Sequence, residues 1–481
     1  MLSGGLLRPP GTTVTIEFSE DVLLEIFDAY RRLFVSDPRY ENIWNSRDGW
    51  FKLTHVCQNW RRLVHLSPSR LHVHLLCTPH RSSKAILLRK IPVFPILVDY
   101  RQSNWTKREV NLALAAIEQR SRVRGIFLGT KLFRDTTEIF GALSRPFPEL
   151  ESLEICSTDS HYLAILPTTF FLGSASSLRR LKLWVVEPKC LSPLLSTVTG
   201  LVELYLTLRV PLNTYPEESL IANLQRMSCL RRLEFRLSYP LWYETLHSSN
   251  PRPPANTGDI VPLPNLMQLV FIGHNFYLDA LVAELAAPSL QHLDVEFVDR
   301  AFTLPTPHFC RFICDTDNHF GLVRLDFSDS QLQFTAETRS KTVHAQSFRI
   351  SIPRQIWLKE LGNSLSQSLA TVEELVVGWD IDIASGRSAV VQWREFLKHT
   401  RQVKALQMPW QVALDVAHSF QQDGQEPAVD ILPALEQVNM VMTHWHPPGP
   451  NSQDHVAIPD AFEPLIAARK KVGRPITLSL T

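Results

Sequence analysis

The chain has 481 residues, roughly two to three usual domain lengths, so a single core is not expected. Apolar residues make up 44% and charged residues 20%, which excludes wholesale disorder. Lys and Arg number 49 against 48 Asp and Glu, a balance that removes the case for a general nucleic-acid binder.

Seven cysteines, odd in number and sparse, read as thiols of a reducing compartment and not as a disulfide framework. No apolar run reaches the roughly 18 residues of a bilayer span. The opening Met1–Pro10 has no basic region followed by a long apolar stretch, so no secretory leader is expected. The expectation is therefore a cytoplasmic or nuclear protein with no membrane partner.

In chain order, residues 1–15 read as a disordered leader. Ser19 can cap a helix whose first turn carries Glu20 and Asp21. Val22, Leu23, Ile26, Phe27 and Tyr30 follow at helical spacing. Residues 36–49 are turn-rich and read as a loop. Trp50, Leu53, Val56, Cys57, Trp60, Leu63 and Val64 then fall on one stripe of a second helix. Two helices this short have little interior of their own, which points to apolar surface shared with a partner. The alternative is a private core. A strand is expected at Leu71–Leu76, and residues 77–119 are expected as a connecting segment with a strand at Val93–Val98 and a helix.

From about residue 120 a unit Leu-x-x-Leu-x-apolar recurs. Strict copies start at Leu150, Leu178, Leu201, Leu230, Leu266, Leu290 and Leu322; looser ones start at Val123, Val372, Val403 and Leu435. Successive strict starts lie 28, 23, 29, 36, 24 and 32 residues apart, room for one strand and one return helix. Helical patterns at 212–227 and 278–286 fit those returns. The gap from Leu322 to Val372 is too long for one repeat and predicts a degenerate strand near Phe348–Ile352 or an insertion. Proline-rich stretches at 238–262 and 447–459 read as loops.

Residues 16–76 resemble an F-box in its fungal F-box-like form. The opening stands as Phe18-Ser19-Glu20-Asp21-Val22-Leu23-Leu24-Glu25-Ile26-Phe27, with Phe18, Ser19 and Asp21 at the family's Leu, Pro and Glu. The second element stands as Trp50, Leu53, Val56-Cys57 and Trp60-Arg61-Arg62, followed by Ser67-Pro68 and Leu71. Residues 120–481 resemble the irregular leucine-rich repeat that often follows an F-box. The usual Asn or Cys after each strand is mostly missing, so uneven rungs are expected. The resemblance implies an α/β fold: a short helical module, then a solenoid of one strand and one helix per repeat, with a parallel sheet on its concave side. It also implies a substrate-recognition subunit of a Skp–cullin–F-box ubiquitin ligase, without catalytic groups or cofactor. Phe18, Val22, Leu23, Ile26, Phe27, Trp50, Leu53, Val56, Cys57 and Trp60 would meet the Skp-type adaptor. The other reading is a repeat scaffold that engages no ligase.

In such repeats the leucines face the core and the residues between them face outward. Arg180, Lys182, Trp184, Tyr205, Arg232, Glu234, Arg236, Asp294 and Glu296 are the outward residues singled out for a client protein. They run from basic and aromatic to acidic, and fit either a mixed-charge client segment or a solvated face. Two metal candidates stand out. Cys310 and Cys314 share a helical face but have no matching second pair, and His444 and His446 share one strand face but have no obvious third ligand. Cys57 and both of these cysteines are expected as buried packing. No phosphate loop, nucleophile elbow, dinucleotide fingerprint or zinc-protease motif occurs, so an enzyme is not expected.

Overall fold

A computed structural model describes residues 18–35, 50–68, 70–71, 74–78, 94–101, 106–130, 137–157, 176–186, 191–209, 217–238, 260–298, 307–314, 320–328, 331–338, 346–353, 358–379, 387–421, 429–441 and 454–480. The chain divides into two compact units, Met1–Leu153 and Glu154–Thr481. The architecture is mixed α/β on mostly parallel sheet.

The first unit opens with α1 (Glu20–Val35). Ser19 precedes it, and its Oγ accepts the Val22 N–H at 3.4 Å, the capping role its sequence position predicts. The single helix expected over Trp50–Val64 is two, α2 (Trp50–Leu53) and α3 (Gln58–Leu66). The break has a local cause. The N–H groups of Thr54, His55 and Val56 donate to carbonyls three residues back, the tightened pattern of a terminating helix. Cys57 is then extended, and its Sγ accepts the Trp60 N–H at 3.4 Å, so it caps α3. Arg61 Nε reaches back to the Thr54 carbonyl at 2.8 Å and holds the turn closed.

Strands β1 (Leu75–Cys77), β2 (Ile96–Tyr100) and β3 (Val123–Thr130) pair in parallel in that order. Both β1 and β2 start later than the sequence pattern suggests. The return helix α4 (Lys107–Ile117) is fixed by a capping box between Thr106 and Glu109, and buries Val110, Ala113, Ala116 and Ile117. Near the end of β3, Gly129 sits where the Arg101 backbone passes too close for any Cβ. Helix α5 (Thr137–Leu143) follows, and then β4 (Ser152–Ser157).

The second unit continues with β5 (Arg180–Val186), α6 (Leu191–Thr197), β6 (Glu203–Arg209), α7 (Glu217–Leu224), β7 (Arg232–Ser238), β8 (Val261–Pro262), β9 (Gln268–Gly273), α8 (Asn275–Ala283), β10 (Leu285–Ala286) and β11 (His292–Phe297). Then come α9 (Pro307–Cys314), β12 (Phe320–Phe327), β13 (Gln331–Thr338), β14 (Ser347–Pro353), α10 (Leu358–Ser364), α11 (Ser366–Leu369), β15 (Glu374–Trp379), α12 (Arg387–Leu397), β16 (Ala405–Pro409), α13 (Trp410–Ser419), β17 (Gln437–Val441), α14 (Asp454–Lys471) and β18 (Thr477–Leu480). All eleven repeat units found in the sequence enter strands, β3 to β7, β9, β11, β12 and β15 to β17. Neighbouring return helices pack side by side: α6 on α7, α8 on α9, α12 on α13 and α13 on α14.

The order departs from a simple solenoid at one place. Strands β5, β6, β7, β9 and β11 lie parallel in sequence order, but the neighbour of β11 is β14, not β12. Strand β13 is antiparallel to both β14 and β12, and β12 then pairs in parallel with β15. The long gap in the repeat spacing thus holds an inserted pair of strands, with the degenerate strand found as β14.

Each rung is stitched to the next by main chain. The Arg179 carbonyl accepts the N–H groups of both Val202 and Glu203; Val202 does the same for Arg231 and Arg232, and Arg231 for Met267 and Gln268. The pattern resumes at Glu373 and Lys404. Just upstream, the N–H of the first repeat residue in several rungs closes a turn onto a carbonyl three back: Leu230 on Met227, Leu266 on Leu263, Leu290 on Ala287, Val372 on Leu369, Leu435 on Leu432. These two devices satisfy the turn backbone that an Asn ladder would otherwise serve. Leucines such as Leu181, Leu204 and Leu233 stack in register with at most 2% exposure and form the core with the helices.

Candidate protein-interaction surfaces

Helix α1 divides its apolar residues between two faces. Leu23, Leu24 and Phe27 are buried, while Val22 and Ile26, one turn apart, are 44% and 41% exposed. Phe18, just before the cap, is 51% exposed. The buried face is fixed by packing: Phe27 meets Trp60 edge-on at 4.7 Å, and Trp50 meets Phe94 at 4.9 Å. Ion pairs pin the same helix. Glu20 holds Arg62, and Arg70 reaches Asp21 at 3.2 Å and Glu25 at 2.9 Å.

The ten residues expected to meet a partner therefore sort into two groups. Leu23, Phe27, Trp50 and Leu53 are interior, and Trp60 is half-buried. Phe18, Val22, Ile26 and Val56 are exposed apolar groups. Cys57 is exposed, against the expectation of buried packing, because its thiol is needed at the helix start.

The outward residues of the second unit form three rows across β5, β6, β7, β9, β11 and β14. The first is Arg180, Glu203, Arg232, Gln268, His292 and Ser347. The second is Lys182, Tyr205, Glu234, Val270, Asp294 and Arg349. The third holds Trp184, Thr207, Arg236, Ile272, Glu296 and Ser351.

The charges in these rows answer one another. Arg180 grips Glu203 bidentately at 2.8 and 2.9 Å, and the Tyr205 hydroxyl donates to the same carboxylate at 2.8 Å. Glu234 receives Arg232 at 3.1 Å and Arg236 at 2.7 Å. Lys182 lies 3.5 Å from Glu154 and sits over the rings of Trp184 and Tyr205. Arg232 covers the other ring contact of Tyr205 at 5.0 Å. At the acidic end Asp294 is held by Arg349 at 2.8 and 2.5 Å. The expected run from basic to acidic is thus present in composition but neutralised locally.

The titration behaviour follows. Burial pushes the Glu203 carboxyl up, but hydrogen bonds from Arg180 and Tyr205, with both arginine charges, outweigh it and leave the pKa below the ordinary value. Burial first, then the bond to Glu203, pushes Tyr205 up to about 12. Its hydroxyl remains a donor throughout the physiological range.

Two partners escaped the sequence reading. Glu154 occupies in its repeat the position that Lys182, Tyr205 and Glu234 occupy in theirs, so alignment of the repeats carried that signal. Arg349 lies on the inserted strand, whose register no local pattern gives. Another missed residue is Arg469 on α14, 1% exposed. It donates to the carbonyls of Val429, Leu432, Pro433 and Leu435 at 2.7 to 3.4 Å.

Cys310 and Cys314 lie on α9 at its end, as expected, but half-buried; the Cys314 Sγ is 3.3 Å from Ser368 Oγ. His444 and His446 fall outside the described residues. Among the described residues no three His, Cys, Asp or Glu side chains gather as a metal site would need, and no helix is long and apolar enough to cross a membrane. No protein-family model matches the chain, and no curated protein matches it.

Proposed function

We propose that the chain is the non-catalytic client-recognition subunit of a Skp–cullin–F-box ubiquitin ligase acting in the cytoplasm or nucleus. Helices α1 to α3 dock on the Skp-type adaptor, and the repeat unit holds a protein client. The observation that carries the reading is the split of α1: Leu23 and Phe27 seal the inner face while Phe18, Val22 and Ile26 stand in solvent beside it. Apolar residues left outside a helix whose other face is already packed suit a second polypeptide. The ligase accelerates transfer by tethering, since a client held near a charged conjugating enzyme meets it at high effective concentration.

The test is co-purification of the full chain with the Skp-type adaptor of its own organism, with and without Val22→Asp and Ile26→Asp. Both positions are exposed, so folding should survive within about 0.5 kcal/mol. Capture by the parent chain and its loss in the double variant are expected. A folded parent chain that captures no adaptor overturns the ligase reading and leaves a repeat scaffold.

A further inference from the structure

A crevice of about 490 Å³ opens on the outward face of the second unit, within the size range of small-ligand sites. Its origin is a fork in the sheet. Strand β15 pairs with β16 only over Glu374–Val376 and Ala405–Gln407. Beyond that, β15 runs on along β12 to Trp379 opposite Phe327, and β16 runs on along β17 to Pro409 opposite Val441. The strands part at their carboxyl ends, next to the antiparallel insertion where sequence order is broken. In open α/β sheets ligands settle at such a place, outside the carboxyl ends of strands where the order changes.

The lining is of two kinds. Phe327, Val376, Val377, Pro409 and Val441 supply an apolar wall. Arg324, Gln333 and Gln407 supply polar donors, with one acid, Asp326, among them. Asp326 is already committed: both its oxygens accept Arg324 Nε, at 2.9 and 2.8 Å. Its carboxylate occupies the space a side chain at position 378 would fill, so Gly378 is what lets it lie there. This contact fixes the guanidinium by one edge. Among the described residues, neither Nη of Arg324 has a hydrogen-bond partner, and the Nη1–Nη2 edge, left free by the Nε contact, can take a carboxylate bidentately.

We propose that this crevice binds a terminal carboxylate carried on a short apolar group, with the carboxylate on the Nη edge of Arg324 and the apolar group against Phe327, Val376 and Pro409. Two sources have this chemistry: the last residue of a polypeptide and a free carboxylic acid of the same size. Asp326 is a positioning residue that presents the guanidinium. The site goes beyond the ligase reading and stands without it, since adaptor capture and acid binding are measured separately.

The experiment is isothermal titration of the full chain with N-acetyl Gly-Gly-Val, Gly-Gly-Leu and Gly-Gly-Phe, each as free acid and as carboxamide. 4-Methylpentanoate and 3-phenylpropanoate are titrated in parallel. At least one acid should bind, with its carboxamide weaker by about tenfold or more, the worth of a charge-assisted pair. Arg324→Gln should remove binding. Arg324 is exposed, so the fold survives the change, and thermal unfolding checks this. Arg349→Gln, which breaks a comparable ion pair on the same face, should leave binding unchanged. Binding of the peptides alone assigns the site to polypeptide C-termini; equal binding of the simple acids assigns it to free carboxylic acids. The proposal is overturned if amides bind as well as acids, if Arg324→Gln still binds, or if no acid binds at about 1 mM, the weak end of specific affinity.

Discussion

The two ends of the repeat sheet solve the same problem with different chemistry. Across β5 to β7 the outward rows are ionic and aromatic, and each charge is met by the neighbouring rung or by the next outward position on its own strand. Across β15 to β17 the second row reads Val376, Gln407 and Asn439, all uncharged, the first row carries one charge, Glu374, beside Ala405 and Gln437, and the strands fork. The main-chain ladder is the same at both ends. The difference teaches that backbone stitching suffices to hold the rungs, and that the outward side chains are a second layer which can either reinforce the sheet or be released for binding. The reinforced end gives up its charges to itself. The forked end keeps an arginine edge available.

The largest effect belongs at the forked end. Arg469 is buried with its four donated hydrogen bonds all going to carbonyls of the turn before β17. Burial holds its pKa below the usual guanidinium value, with Arg474 adding to the shift and Asp430 opposing it. Arg469→Met keeps the packing volume but strands four acceptors, and should cost about 3 kcal/mol. Because a repeat couples mainly to its neighbours, amide exchange should quicken in β16 to β18 and remain unchanged in β5 to β7. Equal loss at both ends would show that the sheet unfolds as one block and that the comparison has no energetic content.

A smaller effect is expected at the ionic end. Glu234 has 10% side-chain exposure and serves Arg232 and Arg236 at once. Glu234→Gln leaves two guanidinium groups sharing one neutral acceptor and should cost about 1 to 2 kcal/mol, read as a lower urea midpoint and faster exchange in β6, β7 and β9. If the midpoint does not move, the ion pairs are decoration on a sheet held by its backbone and its leucines alone.

How much of this was legible varies with the distance over which the cause acts. Leu-x-x-Leu-x-apolar encodes both the alternation of a strand and its repetition, so Leu181, Leu204 and Leu233 announced their rungs. Ile350 announced a strand, but nothing nearby said that β14 would take the place beside β11 and send β12 away; that pairing is decided by segments tens of residues apart. On α1 every apolar residue looked alike. Which of Phe27 and Ile26 is sealed depends on Trp60, whose ring meets Phe27, and the helical period alone cannot tell the two stripes apart. The Arg180–Glu203 pair was readable once adjacent repeats are aligned. Arg469 was not, because one arginine among several at the end of a helix carries no sign that carbonyls surround it.

The smallest effect is also the one that separates the two ends by sign. Glu203 has a folded pKa below its ordinary 4.5, so the native state favours its charged form. Its contribution is present above that ordinary value and is lost as the pH falls through the lower folded value. Asp415 on α13 behaves oppositely: burial raises its pKa above 3.8, with His418 only partly offsetting this, so the folded state disfavours its charge and gains stability as protons are added. Glu395 on α12 is depressed by Lys398, against the smaller opposing effect of burial, but that pair lies at the surface and contributes little. Protection from exchange, measured by mass spectrometry and corrected for the intrinsic slowing of exchange as the pH falls from about 6 to about 3, should therefore drop in β5 to β7 before it does in α13 and β16. Glu203→Gln should abolish that early acid response without touching the forked end. If the two ends instead loosen together, or α13 loosens first, the charges of the ionic end are not what hold its rungs in register.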